Sequence, residues 1–261
     1  MQPANLTISL LQTDLAWENP ETNRNALEEK IKNLDTATDL IVLPEMFTTG
    51  FSINTSTLAE KMDGPTIAWL HRMASLTQAT ITGSLIIEEH GNYFNRLIWV
   101  QPDGEIYWYD KKHLFRMAQE NGIYSGGKSK LIVQWKGWKI CPLICYDLRF
   151  PVWSRQQPEQ PYDLLLYVAN WPEKRAAAWR ILLAARAIEN ASYCAGVNRT
   201  GQDGNGIFYA GESGICDPFG NAFYLPAEAA SLHTQTLDHA ALLKYRERFP
   251  VHLDADPFLL L

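Results

Sequence analysis

The sequence contains the run Pro142-Leu143-Ile144-Cys145-Tyr146-Asp147-Leu148-Arg149-Phe150-Pro151, in which an apolar segment ends abruptly in a thiol followed by polar residues and a proline. An apolar segment of this kind predicts a buried β-strand, and the residues after it predict a turn at the edge of the sheet. Loops converge at that edge in α/β proteins, so a small molecule can reach a side chain placed there. We therefore expect an α/β fold in which Cys145 is a candidate nucleophile.

Two further apolar segments end on charged residues. Ile41-Val42-Leu43-Pro44-Glu45 ends on a carboxylate, and Tyr109-Asp110-Lys111-Lys112-His113-Leu114-Phe115 carries two lysines. A carboxylate, an ammonium group and a thiol supply a general base, a partner for an oxyanion and a nucleophile. These groups suffice for amide hydrolysis through a thioester without a histidine.

Each of these residues has an expected role in that reaction. Glu45 accepts the proton of the Cys145 thiol and later returns it to the departing ammonia. The cation of Lys111 and the backbone N–H of Tyr146 stabilise the oxyanion of the tetrahedral intermediate, each by roughly 3 kcal/mol. Lys111 needs a neighbouring carboxylate to stay charged, and Glu120, in the polar, glycine-rich loop that follows, is the candidate.

Each residue also has a purely structural interpretation. A single buried cysteine is more often inert packing than a nucleophile, and packing is our expectation for the other three cysteines. Glu45 and Lys111, taken singly, are typical of solvated charges at strand ends. Cys141 and Cys145 are four residues apart, but no paired His/Cys cluster completes a zinc site, so we expect no metal. Only the conjunction of the three segments favours catalysis.

Composition indicates one globular domain and excludes several classes of partner. The chain has 261 residues, 46% of them apolar, which is enough to fill one large core. A formal charge of −6 without long blocks of like charge argues against nucleic acid as a partner. No run approaches the ~18 apolar residues of a membrane span. Four cysteines in a chain of this length suggest no disulfide framework, so we expect a soluble, cytoplasmic protein.

The order of the apolar segments predicts the architecture. The pattern predicts strands at residues 6–12, 40–43, 79–87, 164–169 and 193–197, and helices at residues 21–34, 66–76, 173–189 and 238–247. Turns at residues 91–92 and 103–104 predict β-hairpins that join consecutive antiparallel strands in this part of the chain. No linker marks a boundary, so residues 1–261 form a single domain. We expect a four-layer α-β-β-α sandwich of two mixed sheets, although the pattern alone does not separate it from a three-layer α/β fold.

The helix predicted at residues 173–189 carries a stripe of apolar side chains at helical spacing. Its members are Ala178, Ile181, Leu182, Ala185 and Ile188. We expect the stripe to pack against the core, with an oligomer contact as the alternative.

Three segments resemble the signature motifs of the nitrilase superfamily of carbon–nitrogen hydrolases. They are Leu43-Pro44-Glu45, Tyr109-x-Lys111-x-His113-Leu114-Phe115 and the run from Cys145 to Pro151. The resemblance covers nearly the whole chain, because further matches are Ser125-Gly126-Gly127, Asn198-Arg199 and Asp217-Pro218-x-Gly220.

This resemblance implies roles for particular residues. Glu45, Lys111 and Cys145 would form the catalytic triad, and Glu120 would be the second glutamate. The family spacing of two residues before His113 selects Lys111 rather than its neighbour. The resemblance also implies the α-β-β-α sandwich and a homodimer.

Other stretches are similar to the omega-amidase branch, which hydrolyses the terminal amide of 2-oxoglutaramate and 2-oxosuccinamate. They are Phe47-Thr48-Thr49-Gly50-Phe51, Ala169-Asn170-Trp171-Pro172 and Tyr245-Arg246-x-x-Phe249-Pro250. The resemblance implies a cofactor-free amidase that acts on small 2-oxo acid monoamides. The aromatic residues beside catalytic or strand-end positions are candidates for the pocket wall, with a core position as the alternative for each: Phe47, Phe115, Tyr146 and Trp171.

Other functions stay open at this point. An N-carbamoyl amidase or a general aliphatic amidase of the same superfamily would use the same three residues. A catalytically silent interaction scaffold would keep the fold without the reaction. We expect a small-molecule amide as partner and neither nucleic acid nor membrane.

Overall fold

The computed structural model describes residues 4–256 and 258–259, and its strands form two six-stranded mixed sheets and a two-stranded ribbon. In chain order, the strands of the first sheet are β1 (Leu6–Gln12), β2 (Leu40–Val42), β3 (Thr80–Glu89), β4 (Asn92–Val100), β5 (Ile106–Asp110) and β14 (Ser231–Leu237). Those of the second sheet are β6 (Val133–Trp135), β7 (Trp138–Ile144), β8 (Leu164–Ala169), β9 (Tyr193–Asn198), β12 (Gly214–Cys216) and β13 (Ala222–Tyr224). The ribbon consists of β10 (Thr200–Gln202) and β11 (Phe208–Ala210).

Both sheets place parallel strands at their centre and antiparallel strands outside. The order is β14-β1-β2-β3-β4-β5 in the first sheet and β13-β12-β9-β8-β7-β6 in the second. Strands β1, β2 and β3 are parallel, as are β7, β8 and β9. Loops that follow central parallel strands are the usual place for a ligand site in α/β proteins. In this protein they include the loops after β2, β7 and β8.

The helices are α1 (Pro20–Lys32), α2 (Thr55–Leu58), α3 (Pro65–Thr77), α4 (Pro151–Ser154), α5 (Ala176–Glu189) and α6 (His239–Arg248). Apolar residues of α1 and α3 pack on the first sheet, and α5 packs on the second. Within the described part of the chain, no helix is long and apolar enough to cross a membrane.

The alternation of side chains along each strand separates two cores. On β4, Leu97 and Trp99 belong to the core between the two sheets, whereas Ile98 and Val100 belong to the core beneath α1 and α3. Successive residues of a strand point to opposite faces, so one apolar run fills two layers. The predicted four-layer α-β-β-α sandwich is confirmed. The single domain predicted for residues 1–261 includes six residues, 1–3, 257, 260 and 261, that lie outside the described part.

Element boundaries agree with the sequence to within a few residues. Strands β1 and β8 coincide with the predicted segments, and α5 is preceded by a 3₁₀ turn at Glu173–Arg175. The hairpin turn predicted at residues 91–92 lies one residue earlier, at His90 and Gly91. Both have positive φ, 52° and 77°, as a type I′ turn requires.

The stripe predicted for α5 is correct only in part: Ala178 and Leu182 are partly buried and pack against the core. The buried side chains of the helix are Trp179, Leu183, Arg186 and Ala187. Ile181 and Ile188 are instead 67% and 49% exposed. Arg186 is buried because its guanidinium donates to the Leu148 carbonyl oxygen at 2.6 Å and pairs with Glu189 at 3.0 Å. These two contacts hold Arg186 on the packed face of the helix, and the two isoleucines lie outside that face.

Gly196 of β9 should be intolerant of any side chain, because α5 lies directly on it. A methyl group added at Gly196 would come within 2.6 Å of Trp179 and 2.8 Å of Leu183. We predict that Gly196→Ala lowers the free energy of unfolding by about 1–3 kcal/mol, measured by urea denaturation. Gly122 is the control, since a methyl group there has no neighbour within 4 Å, and Gly122→Ala should change stability by less than about 1 kcal/mol. Equal losses in the two variants would contradict this packing.

Candidate active site

Cys145 lies at a sharp turn at the end of β7. The strand stops at Ile144, and a 3₁₀ turn spans Cys145–Arg149. Cys145 has φ of +42°, a left-handed conformation that costs a non-glycine residue about 1–2 kcal/mol. Such a turn lifts the thiol out of the sheet and leaves the N–H of Tyr146, in the first turn, without an intrahelical acceptor. The predicted nucleophile and oxyanion donor are therefore adjacent.

Glu45 lies shortly after the end of β2, and its side chain is fully buried. The next residue, Met46, has φ of +43°, so the chain turns sharply here as well. One carboxylate oxygen, Oε1, accepts from Lys111 Nζ at 2.9 Å and from Asn95 Nδ2 at 2.8 Å. The other, Oε2, accepts from the backbone N–H of Asn170 at 2.8 Å. These contacts fix the orientation of the carboxylate.

Lys111 follows β5 and is buried between two glutamates. Its Nζ lies 2.9 Å from Glu45 Oε1 and 3.0 Å from each oxygen of Glu120. Glu120 belongs to a 3₁₀ turn, Glu120–Gly122, and also accepts from the backbone N–H of Phe115 at 2.5 Å. The structure thus brings the predicted Glu45, Lys111 and Glu120 together. We call these three residues the buried charge cluster.

The buried charge cluster favours a permanently charged lysine. Burial lowers the pKa of Lys111, but the negative charges of Glu120 and Glu45 outweigh this effect and hold the pKa above its ordinary value. The pKa of Glu120 is raised by burial and by the charge of Glu45, against the opposing effect of Lys111. Lys111 therefore remains an ammonium group at neutral pH, as an oxyanion partner must.

The thiol of Cys145 is protonated in the resting protein. Burial and the negative charge of Glu45 raise its pKa well above the ordinary value, and Lys111 only partly offsets this. Its Sγ faces the carbonyl oxygen of Asn170 at 3.9 Å, and the Glu45 carboxylate is near enough for its charge to raise the thiol pKa. The nucleophile must therefore lose its proton to Glu45 as it attacks, which is general base catalysis rather than attack by a preformed thiolate.

A buried aspartate joins the thiol turn to the lysine segment. Asp147 accepts from the hydroxyl of Tyr109 at 2.7 Å and from the backbone N–H groups of His113 at 3.0 Å and Ile144 at 3.1 Å. The ring Nδ1 of His113 lies 2.8 Å from the same carboxylate. This clamp holds the segment that carries Lys111 against the turn that carries Cys145. The role of Asp147 was not predicted from the sequence, although the residue lies within the motif that begins at the cysteine.

A cavity of about 1150 Å³ opens onto Cys145 and Lys111. Of the predicted wall residues, Phe115, Tyr146 and Trp171 line it. Phe47 does not: it is fully buried beneath α3 and packs against Trp69 with ring centroids 5.9 Å apart. The turn at Met46 points Phe47 to the helix side of the sheet, so its assignment to the pocket is wrong. Phe51, four residues later, lines the cavity instead.

The three other cysteines are fully buried free thiols. They lie in β7, β9 and β12, and their side chains belong to the hydrophobic core around the second sheet. Among the residues that the structure describes, no group of three or more His, Cys, Asp and Glu side chains is arranged to hold a metal ion.

The sequence profile of the carbon-nitrogen hydrolase family matches residues 7–246. The chain belongs to this family. It is 48% identical over 258 residues to the omega-amidase YafV of Yersinia enterocolitica, covering 98% of this chain and 99% of the relative. It is 33% identical over 251 residues to the 2-oxoglutaramate amidase of Bacillus subtilis, covering 95% of this chain and 96% of the relative.

Solved structures of family members share the architecture. A CN-hydrolase superfamily protein of Xanthomonas campestris, with an arsenic adduct in its active site, superposes with a TM-score of 0.96 at 46% identity, covering 98% of this chain and 99% of that one. An amidase from Nesterenkonia superposes with a TM-score of 0.82 at 21% identity, covering 96% and 97%, which shows the shared fold. This member of the carbon-nitrogen hydrolase family is therefore an enzyme, a hydrolase of carbon–nitrogen bonds other than peptide bonds, and not a silent scaffold.

Removing the charge of Glu45 should make Cys145 more acidic while removing turnover. Because the negative charge of Glu45 raises the thiol pKa, Glu45→Gln lowers that pKa and favours the thiolate at lower pH. We predict that the pH profile of Cys145 alkylation by iodoacetamide, followed by mass spectrometry, shifts to lower pH in Glu45→Gln. Cys194 is the internal control, since it is fully buried and should stay unlabelled in both proteins. A profile that is unchanged or shifted upward would contradict the proposed contact.

Proposed function

We propose that this hydrolase is an omega-amidase that converts small 2-oxo acid monoamides, such as 2-oxoglutaramate, into the 2-oxo dicarboxylate and ammonia. The observation that carries the proposal is the Cys145 thiol at the floor of a cavity, backed by the buried charge cluster. The names of two relatives, an omega-amidase and a 2-oxoglutaramate amidase, support the substrate class.

The arrangement accounts for acylation step by step. The sulfur of Cys145 attacks the amide carbonyl carbon while Glu45 takes the thiol proton. The oxygen of the tetrahedral intermediate is stabilised by the Lys111 ammonium and by the N–H of Tyr146, each donor contributing roughly 3 kcal/mol. Glu45 then gives its proton to the nitrogen, the carbon–nitrogen bond breaks, and ammonia leaves a thioester on Cys145.

Deacylation runs through the same groups in the opposite direction. Water takes the place of ammonia, Glu45 removes one of its protons, and the hydroxide attacks the thioester carbonyl carbon. The second tetrahedral intermediate uses the same oxyanion donors. Its collapse breaks the carbon–sulfur bond, and the proton on Glu45 returns to the sulfur. The new carboxylic acid gives its remaining proton to solvent water and leaves as the dicarboxylate.

Two guanidinium groups on the cavity wall suit a substrate that carries a carboxylate. Arg149 lies over the ring of Trp171 at 4.9 Å, and Arg175 lies over the ring of Phe115 at 5.4 Å. Stacking on aromatic faces helps to order both cations, and neither forms an ion pair with any residue that the structure describes. A guanidinium binds a carboxylate through two parallel hydrogen bonds, so we propose that Arg149 and Arg175 bind the 2-oxo acid end of the substrate.

A panel of small amides assayed for ammonia tests the proposed function. We predict the fastest release from 2-oxoglutaramate, slower release from glutamine and the slowest from an N-carbamoyl amino acid. Cys145→Ala should release no detectable ammonia while its circular dichroism spectrum matches that of the wild type, because the thioester cannot form. Equal rates on all three compounds, or faster release from the N-carbamoyl compound, would favour the alternative amidases. Undiminished turnover by Cys145→Ala would contradict the mechanism.

We further propose a homodimer formed through the outer face of the second sheet. Ile188 of α5 packs beside Gly220, and the neighbouring Phe219 packs edge to face against Tyr245 of α6 with ring centroids 4.4 Å apart. Phe219 is 67% exposed and Phe249, next to Tyr245, is 56% exposed. Contiguous apolar exposure of this kind supports a self-complementary interface.

The four free thiols support a reducing compartment, so we place the enzyme in the cytoplasm.

Adding one charge to this patch should separate the dimer into monomers. Light scattering should give the wild type twice the chain mass of 29.6 kDa and Phe219→Glu the mass of a monomer. Leu76→Glu is the matched control, since Leu76 is 57% exposed at the end of α3 on the opposite side of the sandwich, and it should stay dimeric. A monomeric wild type, or dissociation only by the control substitution, would count against the interface.

A further inference from the structure

Lys111 directly follows an edge strand of the first sheet. Among the described strands, β5 is the last of its sheet and pairs only with β4. Asp110 is the final residue of β5, and the N–H of Lys111 donates to the Asn95 carbonyl oxygen at 3.0 Å. The end of an edge strand opens more readily than a central strand, because fewer contacts hold it. The position of the Lys111 ammonium therefore depends on what holds this end of β5.

A buried arginine holds that end from the reverse face of the sheet. Arg96 of β4 is directly opposite Asp110, and it donates to both carboxylate oxygens, from Nε at 2.6 Å and from Nη2 at 3.0 Å. Asn95 and Lys111 project to the face that carries the buried charge cluster. Arg96 and Asp110 project to the opposite face, because successive residues of a strand point to opposite faces. A pair with two parallel bonds fixes the carboxylate in both position and orientation.

The guanidinium of Arg96 is itself held by two neighbouring strands. It pairs with Glu89, the last residue of β3, at 3.0 Å. It also lies over the rings of Phe94 and Trp108, at 5.1 and 5.5 Å from their centroids. These contacts leave Arg96 only 1% exposed. One side chain thus ties β3, β4 and β5 together at the end of the sheet that precedes Lys111.

The backbone after Asp110 is held closely as well. The N–H of Gly127 donates to the Lys111 carbonyl oxygen at 2.9 Å, and a methyl group added at Gly127 would overlap the Asp110 carbonyl oxygen. The peptide that joins Asp110 to Lys111 is therefore held by Gly127 through the backbone and by Arg96 through a side chain.

Catalysis makes this anchoring necessary. Glu45 becomes neutral when it takes the thiol proton, so its attraction for the Lys111 ammonium weakens as the oxyanion forms. Glu120 keeps its charge at the same moment. A lysine on a loosely held strand end would shift toward Glu120 and away from the oxyanion, and a displacement of this kind reduces the stabilisation that a fixed donor gives.

We propose that Arg96 is a positioning residue for Lys111, which it holds at the oxyanion through its two bonds to Asp110. Arg96 is not part of the cavity wall and acts through Asp110 rather than on the substrate. This inference rests on the proposed amidase function and adds the group that keeps the oxyanion partner in place during turnover.

The first test separates kcat from KM for ammonia release from 2-oxoglutaramate. In Arg96→Met we expect kcat to fall about tenfold or more and KM to stay within about twofold, because the groups that bind the substrate are unchanged. Arg96→Lys keeps the charge but not the two parallel bonds, so its kcat should lie between those of the wild type and Arg96→Met. Asp110→Asn should resemble Arg96→Met, and the double variant should be no slower than the slower single variant.

Alkylation of Cys145 by iodoacetamide reports the position of Lys111 independently of turnover. Burial, Glu45 and Glu120 raise the pKa of the thiol, and Lys111 lowers it. If Lys111 moves away in Arg96→Met, the alkylation profile shifts to higher pH. A general loosening of the structure would admit water to the thiol and shift the profile to lower pH instead. The direction of the shift therefore separates positioning from a merely structural role.

Arg24→Met is the matched control. Arg24 is a partly buried arginine of α1 that donates to Thr66 Oγ1 at 2.9 Å and lies 3.5 Å from Glu60, away from the segment that carries Lys111. Both arginine variants should lower the midpoint of urea denaturation. The control should keep kcat within about twofold of the wild-type value and leave the Cys145 profile unchanged. If Arg96→Met does not fold, Asp110→Asn is measured in its place with the same expectation.

The outcomes separate this inference from the proposed function. A wild-type kcat in the Arg96 variant, equal losses of kcat in the Arg96 and Arg24 variants, or a Cys145 profile that does not shift to higher pH overturns the role of Arg96. The amidase function stands in each of these cases. A wild type that releases no ammonia from any small amide overturns the proposed function, whereas an upward shift of the profile in Arg96→Met alone still supports the positioning of Lys111.

Discussion

One buried ammonium group between two buried carboxylates is the constraint on which the site depends. Lys111, Glu45 and Glu120 are all at most 1% exposed, so none of them is solvated by water. Removing such charges from water is costly, and the cost is offset only if every lone pair and N–H finds a partner. The partners come from Asn95, Asn170 and the backbone of Phe115. Each of these groups lies where it donates a hydrogen bond to one of the two buried carboxylates.

The fold meets this constraint by ending strands sharply. Met46, Gln119 and Cys145 are non-glycine residues with positive φ, and each is a member or a sequence neighbour of the catalytic set. Left-handed residues are strained, so the surrounding structure must hold them in place. Asp147 does so for the nucleophile, because it binds the end of β7 and the segment after β5 at once. The reactive groups thus lie in tight turns just after strands, where buried hydrogen bonds hold them in place.

The charged strand ends could be predicted from the sequence, because an apolar run that stops on a charge is visible locally. The four-layer sandwich and the choice of Lys111 over Lys112 needed the family resemblance as well, since pattern alone left both open. The sequence did not predict Asn95 or Asn170 as partners of Glu45, since these contacts cross from one strand to another and leave no periodic signal. Phe47 was assigned to the pocket in place of Phe51 because the sharp turn at Met46 cannot be read from residue type. The burial of Arg186 on α5 was missed for a similar reason, since one of its two partners, the Leu148 carbonyl oxygen, lies on another element.

The account requires that the lysine of the buried charge cluster stays charged, since a neutral amine would stabilise neither the two glutamates nor an oxyanion. Nitrogen NMR of the Lys111 Nζ, assigned by comparison with a Lys111→Arg protein, measures this charge directly as pH is varied. The account predicts an ammonium signal that persists above the ordinary lysine pKa of 10.5 for as long as the protein stays folded. A titration to the neutral amine below that value would contradict it.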